Sequence, residues 1–216
     1  MMQRTAGQES PKVIKPHVVA LVSPSPGSGK TTLASSLAAV FAAERPVRLV
    51  EADPRTNGTN GSAAAGGARI VEEHDAEKLD KLLEEPWDGL TLVDGPPLPS
   101  AGAERVLARS ELVLVPVAVS DLDVSGTRKI LEACAKARRR SLVVLSLVDP
   151  RATAALRHAR EVLTGLGAPL ARNPFCQRTA YAGAAAANVP ITTHAPSSIA
   201  VSEVRALANE IAALLR

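Results

Sequence analysis

The sequence predicts an α/β fold, a mainly parallel sheet with helices on both faces. Three observations carry this. Several short runs are almost continuously apolar, the pattern of strands buried on both sides. Helix-forming stretches separate these runs, and strands joined through helices pair in parallel. A Gly/Ser-rich loop joins the first apolar run to the first helix, the usual start of such a fold.

Residues 1–15 are polar and read as a flexible tail, and residues 16–216 as a single domain. HVVALVS (17–23) is the first strand. TTLASSLAAVFAAE (31–44) is a mostly apolar helix, and VRLVEA (47–52) the second strand. LTLVD (90–94), ELVLVPV (111–117) and SLVVLSLV (141–148) complete the buried strands. Helices are expected around 75–85, 100–109, 124–138 and 152–165, with two more at 177–187 and 199–215. Gly167, Pro169 and Pro174 mark a short link before the last pair.

Composition excludes several classes. Of 216 residues, 46% are hydrophobic and 22% charged, which is globular composition. No apolar run approaches the ~20 residues of a membrane span, and the N-terminus has no signal-like apolar segment. Two cysteines exclude a disulfide scaffold and suggest a reducing cytoplasm. Cys134 and Cys176 read as inert thiols, and His17, His74, His158 and His194 lack partners at metal-ligand spacing. Aromatic residues at 2% are too few for a base-stacking platform. Charge is uneven: residues 1–108 carry 11 basic and 14 acidic side chains, residues 109–216 carry 14 and 8. A polyanion partner and a merely solvated basic surface both fit that asymmetry.

The sharpest chemical feature is Gly27-Ser28-Gly29-Lys30-Thr31-Thr32, set between strand and helix. Backbone N–H groups of a glycine-rich turn and the positive end of a helix converge there on an anion. Lys30 is placed to neutralise β- and γ-phosphate charge and the Thr31 hydroxyl to ligate Mg²⁺. Asp53, in Glu51-Ala52-Asp53-Pro54, and Asp94, in Asp94-Gly95-Pro96-Pro97, both follow hydrophobic strands at the same sheet edge. Asp53 is placed to position an attacking water and Asp94 to hold Mg²⁺ through water. The predicted catalytic set is therefore Lys30, Asp53 and Asp94.

An ordinary phosphate loop has Gly six residues before its Lys, where this chain has Pro24. With the two aspartate motifs in order, the chain resembles the ParA/MinD family of deviant-Walker P-loop ATPases, the SIMIBI class. Within it the likeness is to the small plasmid-partition proteins of ParF type. SPSPGSGKTT, VRLVEADPRTNGTN, GLTLVDGPP, ELVLVPVAVSDLDVSG and the stretch from Gln177 to Ile211 carry the resemblance. It implies ATP/ADP and Mg²⁺ as cofactors, a homodimer formed on ATP, and slow hydrolysis stimulated by a partner. It also implies nonspecific binding to nucleoid DNA, with a ParB/ParG-type centromere-binding or cargo adaptor protein, in the cytoplasm and away from membranes. The function implied first is partition of plasmid or chromosomal DNA. The alternatives are positioning of another cargo, as in the McdA carboxysome branch, and an ATP-binding scaffold with little turnover. A metabolic P-loop transferase fits the aspartate motifs and the C-terminal region less well.

By the same resemblance, Pro174, Phe175 and Gln177 fall where the adenine base is held, and Lys129, Arg138, Arg139, Arg140, Arg157 and Arg160 are candidates for a DNA-facing surface. The chain departs from the family pattern at Ser25, where the signature lysine stands, and at Pro26 in place of the following glycine. By the resemblance that lysine reaches across the dimer to the partner's phosphates, so here either the trans contact is absent or another cation supplies it; Arg151 is the candidate, and an exposed Arg opening a helix is the plain alternative. Glu51 replaces the usual first Asp of the second-strand motif, and is taken as support only.

Overall fold

A computed structural model describes residues 17–55 and 65–215. The seven strands are β1 (His17–Leu21), β2 (Val47–Glu51), β3 (Arg69–Glu72), β4 (Leu90–Asp94), β5 (Leu112–Ala118), β6 (Arg140–Val148) and β7 (Phe175–Cys176). They form one sheet in the order β3-β2-β4-β1-β5-β6-β7, with every pairing parallel. The order reverses on either side of β1, so the crevice beyond its C-terminal end is the switch point where such sheets bind ligands.

Alternate residues of β1 point to opposite faces. Val19 and Leu21 join a core with α1 (Lys30–Phe41), α6 (Thr179–Ala187), α7 (Ile191–His194) and α8 (Ile199–Leu214). Val18 and Ala20 join the other, with α2 (Ala76–Glu84), α3 (Ala101–Arg109), α4 (Val124–Lys136) and α5 (Thr153–Gly165). α1 is buried almost all round from Leu33 to Phe41, which its Ala and Ser residues allow, because it is wedged between the sheet and α8. α2, α3 and α8 begin on the side-chain caps Asp75, Ser100 and Ser198, each accepting from backbone N–H groups of the first turn.

The five expected strands and seven expected helices are present, with ends shifted by a few residues. Two strands and a short helix escaped the sequence pattern. β3 is a four-residue edge strand with both ends exposed, so it lacks the continuous apolar signature. β7 has two residues, too few for any periodicity, and α7 is one turn. The expected tail at 1–15 lies outside the described residues. Trp87 sits beside β2, under the Arg48 guanidinium at 5.4 Å from the ring centre.

Candidate functional site

The loop after β1 turns on two glycines in the left-handed region, Gly27 (φ 75°) and Gly29 (φ 78°). Gly29 is also the N-cap of α1, so the chain enters the helix at Lys30. A Cβ on Gly29 would stand 3.0 Å from Ser146 Oγ and 3.2 Å from Leu147 Cδ2, whereas one on Gly27 would meet nothing within 4 Å. Glycine is thus required at 29 for two reasons, its φ and the close approach to β6, and at 27 for its φ alone. On the other side of that approach, β6 is irregular: its register to β7 shifts between Ser146 and Val148, and Leu147 has φ 51°. The buried Ser146 hydroxyl donates to the Ser28 carbonyl at 2.7 Å and fixes the loop to the sheet.

Paired in register, Leu21, Asp94 and Glu51 end β1, β4 and β2 side by side. Asp53 follows two residues later. The chain leaves β4 through Gly95, where a Cβ would fall 2.7 Å from the Leu21 carbonyl. Lys30 reaches back over these strand ends. Its ammonium, 8% exposed, bonds Asp94 Oδ1 and lies 3.4 Å from Asp53 Oδ2. The Thr31 hydroxyl donates to Asp94 Oδ2 at 2.7 Å. Four residues singled out from the sequence are therefore one cluster; Lys30, Thr31 and Asp53 line an open cleft of about 470 Å³ with Gly27, Ser28, Gly29 and Thr32, and Asp94 lies buried beneath Lys30 and Thr31. Asp94 Oδ2 and Thr31 Oγ1 form a converging pair of hard oxygen donors, the donor set Mg²⁺ takes in phosphate-loop sites, so these residues fit that ion.

Arg55 is the member the sequence did not single out. Its Nε donates to Asp53 Oδ1 at 3.0 Å, its Nη2 to Asp53 Oδ2 at 2.8 Å, and its backbone N–H to Oδ1 at 3.0 Å. Burial alone would raise the Asp53 pKa, but these bonds from Arg55 and the charge of Lys30 outweigh it and hold the carboxyl at about 2. An Arg after Asp-Pro reads as a solvated loop residue, and only its place opposite the phosphate loop distinguishes it. Glu51 behaves oppositely. Burial, then the neighbouring Glu72 and Asp94, push its carboxyl up, and Oε2 has no partner among the described residues.

Ser25 points away from the cleft toward α4, donating to Asp123 Oδ2 at 3.3 Å, while Asp123 Oδ1 caps Gly126 N–H. Arg151 is exposed beyond the end of β6 and is not among the cleft-lining residues. Pro174 directly precedes β7, also outside the phosphate cleft; Gln177, just after that strand, lines a second hollow with Asp149, Pro150 and Arg178.

The basic candidates divide. Arg138, Arg139 and Arg140 lie at the N-terminal edge of the sheet, opposite the cleft; Arg139 bonds the Ala108 carbonyl and Arg140 pairs with Glu111 at 2.9 Å. Arg160 donates to the carbonyls of Ala171 and Arg172. Lys129 on α4 and Arg157 on α5 are exposed on the same side of the sheet, as are Arg128 and Lys136 on α4. No ion pair among the described residues involves these four. Cys134 is buried and its thiol is pushed up to about 11, as an inert thiol should be. No helix among the described residues is long and apolar enough to cross a membrane.

A parallel sheet with a glycine loop, a lysine and two strand-end aspartates at its switch point defines a P-loop nucleotide-binding fold. The comparisons give the family. The CobQ/CobB/MinD/ParA nucleotide binding domain matches residues 19–191, and the chain belongs to that family. It is 32% identical over 159 residues to the maintenance of carboxysome distribution protein A of Gloeobacter kilaueensis, covering 71% of this chain and 74% of that protein. To the protein of the same name from Halothiobacillus neapolitanus it is 25% identical over 198 residues, covering 86% and 91%. Among solved structures it resembles the septum site-determining protein MinD of Pyrococcus horikoshii, solved with Mg-ADP, at TM-score 0.70 and 18% identity, over 91% of this chain and 96% of that one. Both curated relatives are carboxysome distribution proteins, not plasmid-partition proteins of ParF type.

Proposed function

We propose that this chain is a ParA-type positioning ATPase of the carboxysome-distribution kind. It binds Mg-ATP in the phosphate cleft, dimerises on it, and hydrolyses it slowly under the control of a cargo adaptor. The observation that carries the nucleotide chemistry is the cluster of Lys30, Thr31, Asp53 and Asp94 under the loop. The cargo class rests on the carboxysome relatives, which favour that alternative over plasmid partition.

The residues divide the work as follows. Loop N–H groups and the start of α1 face the β-phosphate, with no acidic side chain in the first turn of α1 to oppose an anion. Lys30 leaves its carboxylates for the β- and γ-phosphate oxygens. Thr31, and Asp94 through water, would hold Mg²⁺, which when bound screens the charge building on the phosphates. Asp53 orients the water whose oxygen bonds the γ-phosphorus as the bond to the bridging oxygen breaks; ADP and phosphate leave. Arg151 is the candidate to supply the trans charge that Ser25 cannot. Pro174, Phe175 and Gln177 are the candidate base-side residues. The exposed cations of α4 and α5 are the proposed contact to nucleoid DNA, by phosphate attraction without sequence reading.

Lys30→Ala tests this directly. Loss of Mg-ATP binding and of turnover, with the fold intact by circular dichroism, is the expected result. Unchanged binding and turnover would remove the site.

A further inference from the structure

Among the described residues the cleft holds two cations, and only one belongs to the phosphate loop. Lys30 and Arg55 converge on the same oxygen, Asp53 Oδ2, at 3.4 and 2.8 Å. Both line the cleft. Arg55 is half-exposed, so its guanidinium already faces the space a ligand would fill, while Asp53 behind it is buried. The loop itself offers no second charge, since Ser25 is neutral and turned toward Asp123.

From this we infer that Arg55 reads the γ-phosphate: a nucleoside triphosphate replaces Asp53 on the guanidinium, and Asp53 is thereby released to hold water. The inference rests on the nucleotide site proposed above. Its chemistry is an exchange of like for like. A guanidinium fork pairs two oxygens of a carboxylate or of a phosphate with the same parallel geometry. Arg55 already makes that fork with Asp53 through Nε and Nη2. A γ-phosphoryl group brings more negative charge than one carboxylate, so the exchange favours it. ADP brings no group to that position, and Arg55 then stays on Asp53. The resting contact occupies the carboxylate that hydrolysis needs, and the triphosphate frees it by taking its partner. Lys30 undergoes the same exchange, but it also serves the β-phosphate and so reads any nucleotide. Arg55 alone would separate triphosphate from diphosphate.

The test is calorimetric titration of the full chain and of Arg55→Ala and Arg55→Lys, each with Mg²⁺ and the non-hydrolysable β,γ-imido analogue of ATP, then with Mg-ADP. Arg55→Ala is expected to lose about tenfold or more in affinity for the triphosphate analogue, the scale of a lost charged hydrogen-bond pair, and to keep its ADP affinity within about twofold. Arg55→Lys, which restores charge without the fork, is expected to recover part of the triphosphate affinity and none of any ADP effect. Equal affinities in Arg55→Ala and the parent chain, or equal losses for the two nucleotides, would overturn the role. A parent chain that binds neither nucleotide would instead overturn the site, and the role with it. The half-exposed position makes the alanine variant structurally mild, and thermal melts of all three proteins verify that.

Discussion

Glycine at 29 and glycine at 27 share a left-handed backbone, yet the structure assigns them unequal costs on substitution. Gly27→Ala places a Cβ in open space, so its penalty is the backbone term alone, about 1–2 kcal/mol for an L residue held at φ near 75°. Gly29→Ala carries the same term at φ 78° and adds a Cβ at 3.0 Å from Ser146 Oγ and 3.2 Å from Leu147 Cδ2. Neither neighbour yields easily. Ser146 is buried and bonded to the Ser28 carbonyl, and Leu147 sits on the β6 irregularity with its own positive φ. Overpacking of that kind costs about 1–3 kcal/mol, so the total is about 2–5 kcal/mol. Relief requires the loop to lift from β6, which carries Lys30 away from Asp94. Urea denaturation of the two variants, read beside nucleotide titration, separates the contributions. The expected pattern is a Gly29→Ala loss exceeding that of Gly27→Ala by about 1 kcal/mol or more, with nucleotide affinity reduced far more in Gly29→Ala. Equal losses in the two variants would refute the claim that β6 dictates the loop.

Asp53 gives a pH dependence. Its carboxyl titrates at about 2 in the folded chain against a reference of 3.8, so its contribution is fully present above pH 3.8 and is lost as pH falls toward 2. Removing Arg55 takes away the bonds that hold it low, so in Arg55→Ala that contribution is expected to be missing already at neutral pH and the stability curve to be flatter than the parent's between pH 3.8 and 2; parallel curves over that window would contradict the pairing. Lys30→Ala leaves Asp94 and Asp53 buried without their shared cation, and stability at pH 7 should fall by about 3 kcal/mol. Urea midpoints of the variant and the parent chain at pH 7 check this, and an unchanged midpoint would refute it. Replacing Arg128, Lys129 and Arg157 together with Gln should weaken duplex DNA binding and flatten its dependence on salt, whereas the same change at Arg138, Arg139 and Arg140 should not, because two of those three are tied to Ala108 and Glu111.

Much of the candidate site's geometry is legible in the sequence. The buried strands announced themselves as apolar runs, and an Asp closing such a run can lie only at the sheet edge. With parallel strands, that edge is the one the first loop also occupies, so Lys30, Thr31, Asp53 and Asp94 had to meet. What escaped has physical reasons. β3 has exposed ends and β7 is too short, so neither carries periodicity. Ser146 is a polar residue inside an apolar strand, and that interruption was a usable sign of the loop it anchors. Arg55 gave no local sign, because an arginine in a turn is ordinary, and its meaning comes from which carboxylate it reaches. The basic residues show the converse. A run such as Arg138-Arg139-Arg140 stands out in sequence, yet strand direction puts it at the far edge of the sheet, while the less conspicuous cations of α4 and α5 share a side.

The proposed nucleotide-dependent switch would work with serine at position 25, where the resemblance puts a lysine. Light-scattering mass of the full chain with Mg-ATP, with Mg-ADP and without nucleotide, repeated with nonspecific duplex DNA at low and high salt, tests it most directly. A dimer with Mg-ATP alone, and DNA binding by that dimer which fades at high salt, is the expected result. A monomer in all three states, with ATP bound but no affinity for DNA, would contradict it.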